Sequence, residues 1–112
     1  MSGITILKEK TQSPYGENIR ATAWIDGYEI NDPEGTMEFN VVVITKNTNG
    51  KNKEENYYFW IEQSKCTKLW FKNFFQAFSH NKEYRKLFSN EDPIILSGEN
   101  LIVPDIKPLG NH

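Results

Sequence analysis

The sequence predicts one α+β domain spanning residues 1–112, in which a mostly antiparallel sheet of about four to six strands packs on one amphipathic helix. Residues 4–63 alternate apolar and polar side chains in short runs, which is typical of half-buried strands. Glycine- and proline-containing turns separate these runs. After residue 64 the apolar period becomes helical, so the predicted order is β-β-β-β-α-β.

The first strand is predicted over residues 4–10 and the second over 18–25. Residues 11–17 contain Ser13-Pro14 and Gly16, which favour a loop. Asp26-Gly27 favours a two-residue hairpin turn, and 28–30 would return as a short strand. One face of the second strand is apolar; its side chains are Ile19, Ala21, Ala23 and Ile25.

The next strand is predicted over residues 36–45, after a turn at 31–35 that contains a proline and a glycine. Residues 47–56 are polar and include Asn49-Gly50, so we expect a mobile hairpin loop there. Residues 57–63 form the following strand, with aromatic side chains on both faces.

The helix begins at Ser64 or Thr67, since either residue is a good N-cap. A break near His80-Asn81 is compatible with the pattern, with Asn81 capping a short second helix. We expect a strand over 93–96, a last strand near 101–103, and a loosely held tail over 104–112. The apolar stripe of the helix comprises Cys66, Trp70, Phe71, Phe74, Ala77, Phe78, Tyr84 and Phe88.

Composition narrows the class of protein. The net charge is −2 and the pI about 5.7, which gives no overall attraction to nucleic acid or acidic membranes. A single cysteine excludes an intramolecular disulfide and favours a reducing, cytoplasmic setting. No apolar run approaches the length of a membrane helix, so we expect no membrane partner.

No residue is predicted to be catalytic, to bind a cofactor or to ligate a metal. One cysteine and two histidines cannot form a closed zinc site. Cys66 and His80 would lie about 21 Å apart on a continuous helix, too far to share a proton. The sequence favours Cys66 as a core residue and His80 as a solvated one. An enzyme is therefore the least favoured class.

Aromatic residues exceed what one helix can bury. If the helix covers one sheet face, Trp24, Tyr58 and Trp60 belong to the other, beside Glu38 and Glu62. Exposed Trp and Tyr dominate binding hot spots, and acidic neighbours favour a protein over a nucleic acid. Two alternatives remain: the sheet or the C-terminal segment covers this face, or a partner does.

The helical segment is basic although the chain is acidic. Residues 64–90 hold six Lys/Arg and one Asp/Glu, a net charge of +5. This face would bind phosphates, dock an acidic protein, or be solvated. Its lysines are Lys65, Lys68, Lys72, Lys82 and Lys86, with Arg85 a further candidate.

The favoured function is a small cytoplasmic protein-binding module that acts by stoichiometric interaction. Size and charge are typical of inhibitors, immunity proteins, adaptors and phage-borne antagonists of host machinery. The partner is another protein, or a second copy in a homodimer. The alternative is a nucleic-acid-binding accessory domain that uses the basic helix over residues 65–86.

Overall fold

The computed structural model describes residues 4–25 and 35–105. Their architecture confirms the predicted α+β class and element order. The strands are β1 (Ile4–Gln12), β2 (Glu17–Ile25), β3 (Thr36–Lys46), β4 (Asn52–Glu62) and β5 (Ile94–Leu96), and the helices are α1 (Lys68–His80) and α2 (Lys82–Arg85). Short 3-10 helices occupy Gln63–Lys65 and Gly98–Leu101.

The sheet has the strand order β1-β2-β3-β4-β5. The first four strands form an antiparallel meander. β5 pairs in parallel with β4, because α1 and α2 carry the chain back across the sheet before β5 begins. Sheet position thus follows chain order throughout.

One sheet face, here called the covered face, packs against α1 and forms the core. Phe39 and Phe59 stack with their ring centroids 4.6 Å apart. Phe74 of α1 contacts both rings edge-on, at 5.3 and 5.2 Å. Stacked and edge-to-face ring pairs stabilise the fold beyond the contribution from burying their apolar surface. The buried apolar strand residues of this face are Ile19, Ala21, Ala23, Ile25, Met37, Phe39, Val41, Val43, Tyr57, Phe59, Ile61 and Leu96.

Side-chain caps fix where the helices begin. The Thr67 hydroxyl accepts a hydrogen bond from the Trp70 amide at 3.0 Å, so Thr67 rather than Ser64 is the N-cap of α1. Asn81 has extended backbone, and its side chain accepts from the amides of Glu83 and Tyr84. The chain therefore has the break at His80-Asn81 with which the sequence pattern is compatible.

Two segments differ from prediction. Residues 52–56 are not loop but the beginning of β4, paired with β3 from Lys46↔Asn52 onward. Their polarity reflects exposure, because backbone pairing does not require apolar side chains. Residues 101–103 form no strand; the Leu101 carbonyl instead accepts from the Trp70 indole at 2.8 Å. The predicted hairpin at 26–30 and the tail beyond residue 105 lie outside the described residues.

A buried ion pair ties the helices to the β1–β2 turn. Both guanidinium NH₂ groups of Arg85 donate to the Glu17 carboxylate, at 2.8 and 2.9 Å. The Ser13 hydroxyl donates to the same carboxylate at 2.9 Å, and Arg85 Nε donates to the Phe78 carbonyl at 3.2 Å. The pair is bidentate and well hydrogen-bonded, as buried charges require.

The environment of Glu17 sets how the fold responds to acid. Burial raises the pKa of its carboxyl. Hydrogen bonds from Arg85 and Ser13, together with the charges of Arg85 and Lys82, lower this pKa by a larger amount. The net result is a pKa below the ordinary glutamate value. A group with a lowered folded-state pKa stabilises the fold above its unfolded-state pKa and loses that contribution as pH falls through the folded-state pKa.

We therefore expect Glu17→Gln to lower the free energy of unfolding at pH 7 by about 3–5 kcal/mol, because it leaves Arg85 buried without its counter-charge. The deficit relative to the natural chain should shrink as pH falls below the ordinary glutamate pKa of 4.5 and through the lowered folded-state pKa of Glu17. Urea unfolding at several pH values measures both quantities.

The matched control is Glu83→Gln, which removes an exposed pair with Lys86 at 3.4 Å. That change should cost about 0.5 kcal/mol or less at every pH. A Glu17→Gln deficit that is small, or that stays constant with pH, would contradict the structural role of the pair.

Candidate functional site

The sheet face opposite α1, here called the open face, carries the strongest candidate site. Strand register aligns Trp24, Glu38, Trp60 and Ile95 side by side across four strands. Tyr58 lies two residues before Trp60 on β4 and therefore on the same face, opposite Asn40 of β3. Adjacent strands lie about 4.8 Å apart, so these side chains form one continuous surface.

Three of the large side chains on this face are exposed to solvent. Tyr58 is 47% exposed, Trp60 42% and Ile95 64%, while Trp24 is half-buried. We call Trp24, Tyr58, Trp60 and Ile95 the aromatic patch. Sequence reasoning placed the three aromatic residues on this face but missed Ile95, whose position depends on the parallel pairing of β5 with β4.

Acidic groups border the aromatic patch. The Trp60 indole N–H donates to Glu38 Oε1 at 3.1 Å, which fixes the ring relative to the strand beside it. Glu62 follows two positions along β4 and therefore lies on the same face, opposite Thr36. The patch thus combines apolar surface with carboxylates that attract cations.

The other end of the open face is basic. Lys10 lies opposite Arg20, and Lys8 opposite Thr22. All three cationic side chains are exposed, and they line a shallow hollow of about 670 Å³ on β1 and β2. We call Lys8, Lys10 and Arg20 the cationic corner. The open face therefore changes from positive at β1 and β2 to negative and aromatic at β3 and β4.

The described C-terminal residues do not lie over the aromatic patch. β5 extends the sheet beyond β4, in the plane of the strands. Leu101 and Val103 pack against the core on the α1 side. Of the covers considered for this face, the described part of the C-terminal segment, residues 93–105, is therefore excluded.

The predicted basic helix face is divided among several elements. Lys65 lies in the 3-10 helix before α1, while Lys68 and Lys72 are exposed on α1. Lys82 Nζ lies 4.0 Å from the Glu17 carboxylate and 4.7 Å from the centroid of the Tyr15 ring. Lys86 pairs with Glu83.

Arg85, considered for this basic face, is instead buried in the ion pair with Glu17. The lysines do not share one helix, because Asn81, with extended backbone, ends α1 and caps the start of α2. The two lysines after the break each contact a carboxylate, so the positive charge available to a ligand is concentrated before it.

Cys66 and His80 flank α1 at opposite ends, as the helical spacing predicts. Cys66 is buried, and burial raises the pKa of its thiol to about 12. His80 is half-buried rather than fully solvated; its carbonyl accepts from the Tyr15 hydroxyl at 3.1 Å. The thiol is thus protonated at neutral pH, and the His80 imidazole lies too far away to deprotonate it.

Across residues 4–25 and 35–105, no three His, Cys, Asp or Glu side chains are grouped closely enough to hold a metal ion. No helix in these ranges combines the length and apolar composition needed to cross a bilayer.

Comparison with known proteins adds no assignment: no protein-family model, curated protein or solved structure matches the chain. Functional inference therefore depends on the surfaces described above.

We expect Cys66 to react with a thiol reagent only when the fold opens. Labelling by a chromogenic disulfide should be about 100-fold slower or more than in the unfolded chain, because the thiol is buried and protonated. Its rate should rise with urea in step with unfolding.

The control is Ser64→Cys combined with Cys66→Ala, which places a thiol at a nearby exposed position. This chain should label rapidly without denaturant. Equally rapid labelling of Cys66 in the natural chain, with the fold intact, would show that the thiol is accessible and that its placement in the core is wrong.

Proposed function

We propose that this chain is a small protein-binding module whose docking surface is the open face, centred on the aromatic patch. The observation that carries the proposal is that Tyr58, Trp60 and Ile95 are exposed as one surface. The described long helix, α1, packs against the opposite face of the sheet and cannot cover them. Contiguous apolar surface of this kind marks interaction sites.

The patch has the properties of a binding hot spot. Tyr and Trp offer large contact areas at a low cost in side-chain entropy. Trp60 is held by its hydrogen bond to Glu38 and stands on a strand paired on both sides. A preorganised surface loses little conformational freedom when a partner binds.

The charges define the chemistry of the partner. Glu38 and Glu62 border the patch, so the partner surface should combine an apolar centre with Lys or Arg at its rim. A nucleic acid would place phosphates near these carboxylates. The division of the helix lysines among three elements also weakens the nucleic-acid alternative.

Photo-crosslinking tests the proposal at residue resolution. A benzophenone side chain at Tyr58, introduced in the native host, should give a discrete adduct with one protein. The same group at Leu87, which is 74% exposed and lies beyond α2, is the control and should not give that adduct. Excess unmodified chain should compete the adduct away.

Competition by a Trp60→Ala chain should be about 30-fold weaker, equivalent to about 2 kcal/mol, since truncating a hot-spot tryptophan costs that much or more. Competition by Leu87→Ala should equal that of the natural chain. Equal adducts at both positions, or equal competition by Trp60→Ala, would overturn the proposal.

Sedimentation velocity separates a second copy from a different partner. A dimer that is abolished by Trp60→Ala would assign the open face to self-association and would contradict a distinct basic-rimmed partner. A monomer whose aromatic patch crosslinks to another protein supports the proposal.

A further inference from the structure

A second surface, independent of the aromatic patch, lies at the edge of the sheet formed by β1. This strand has nine residues, and among the described strands only β2 pairs with it. At the opposite edge β5 has only three residues. An unpaired edge of this length is a template for a further strand.

The register shows which backbone groups of β1 are free to pair. Ser13 N donates to the Glu17 carbonyl at 2.8 Å, which marks this pair as hydrogen-bonded. In an antiparallel ladder such pairs alternate, so Thr11 and Glu9 also direct their amides towards β2. Lys8, Lys10 and Gln12 therefore direct theirs away from the sheet.

Helix α1 forms the wall of a groove along this edge. The groove has a volume of about 350 Å³ and is lined by Glu9, Lys10 and Thr11 on one side and by residues of α1 on the other. Leu69 and Phe75 supply apolar surface, and Leu69 is largely exposed. The Tyr15 hydroxyl, bonded to the His80 carbonyl, ties the β1–β2 turn to the last residue of α1.

Cations surround the edge. Lys8 and Lys10 project on the open face beside Arg20, and Lys72 lines the groove on the helix side. Glu9 is the one carboxylate among the described groove residues. Lysines on an edge disfavour pairing with β1 of a second copy, because like charges would then lie side by side.

The geometry points to the β1 edge as a binding site for an extended acidic peptide segment of a partner protein, which adds a sixth strand to the sheet. Its backbone pairs with Lys8, Lys10 and Gln12. Its side chains alternate: acidic ones contact the cationic corner, and apolar ones enter the groove towards Leu69 and Phe75.

A designed peptide provides the probe: four Glu-Val repeats with a fluorescent label, followed by anisotropy. It should bind, whereas a Lys-Val peptide of equal length and a version with proline at alternate positions should not. Binding should slow hydrogen exchange at the amides of Lys8, Lys10 and Gln12 by about tenfold or more, while Glu9 and Thr11, already paired with β2, should change little.

Variants separate backbone pairing from charge. Lys10→Pro removes one outward N–H at an edge position that tolerates proline, and it should weaken binding about tenfold more than Lys10→Ala. Lys8→Glu with Lys10→Glu should abolish binding without removing a backbone donor. Lys86→Glu, at the exposed residue that follows α2, is the charge control and should leave affinity unchanged.

Three results would overturn this site: protection that does not alternate along β1, equal binding of Lys10→Pro and Lys10→Ala, or an oligonucleotide that binds as well as the peptide. The last would identify a general anion surface. Trp60→Ala should leave peptide affinity unchanged. The peptide experiment therefore tests only the β1 edge, and its outcome is independent of whether a partner docks on the aromatic patch.

Discussion

A sheet has two faces, and the described part of this chain has one long helix to cover them. Strand alternation sends Phe39 and Phe59 to the face that α1 covers, and Tyr58 and Trp60 to the other. Burial of the first set stabilises the fold, since each fully buried aromatic ring contributes roughly 2–3 kcal/mol. The same alternation leaves the second set in water. The core and the proposed docking surface are thus two consequences of one backbone pattern.

The position of α1 depends on polar contacts at its C-terminal end as well as on aromatic packing. Arg85 reaches across to Glu17, 68 residues earlier, and also binds the carbonyl oxygens that α1 leaves unpaired at Phe78 and Ser79. This arrangement ties the C-terminal end of α1 to the start of β2, next to His80, which lines the groove along the β1 edge. Glu17 thereby connects fold stability with acid sensitivity.

Features encoded over a few residues were predictable. Alternation identified the strands and their faces. Short polar side chains identified Asn81 as a cap and left Ser64 and Thr67 as alternatives for the first one. Features that depend on distant pairing were not. Nothing local distinguishes Arg85, buried against β2, from Lys86, the exposed residue that directly follows α2. Ile95 joins the aromatic patch only through the parallel register of β5, and the polar start of β4 resembles a loop because its pairing uses backbone alone.

A partner can dock on the open face only if the aromatic patch is exposed to solvent in the native chain. Acrylamide quenching of single-tryptophan chains measures this exposure, with Trp60 retained in one chain and Trp70 in another while the remaining tryptophans are replaced by phenylalanine. Trp70 donates to the Leu101 carbonyl beside the core and provides the protected reference. We predict that Trp60 is quenched several-fold more efficiently than Trp70 in the dilute native chain. Equal protection of the two residues would show that another part of the chain covers the open face and that this face is not the docking surface.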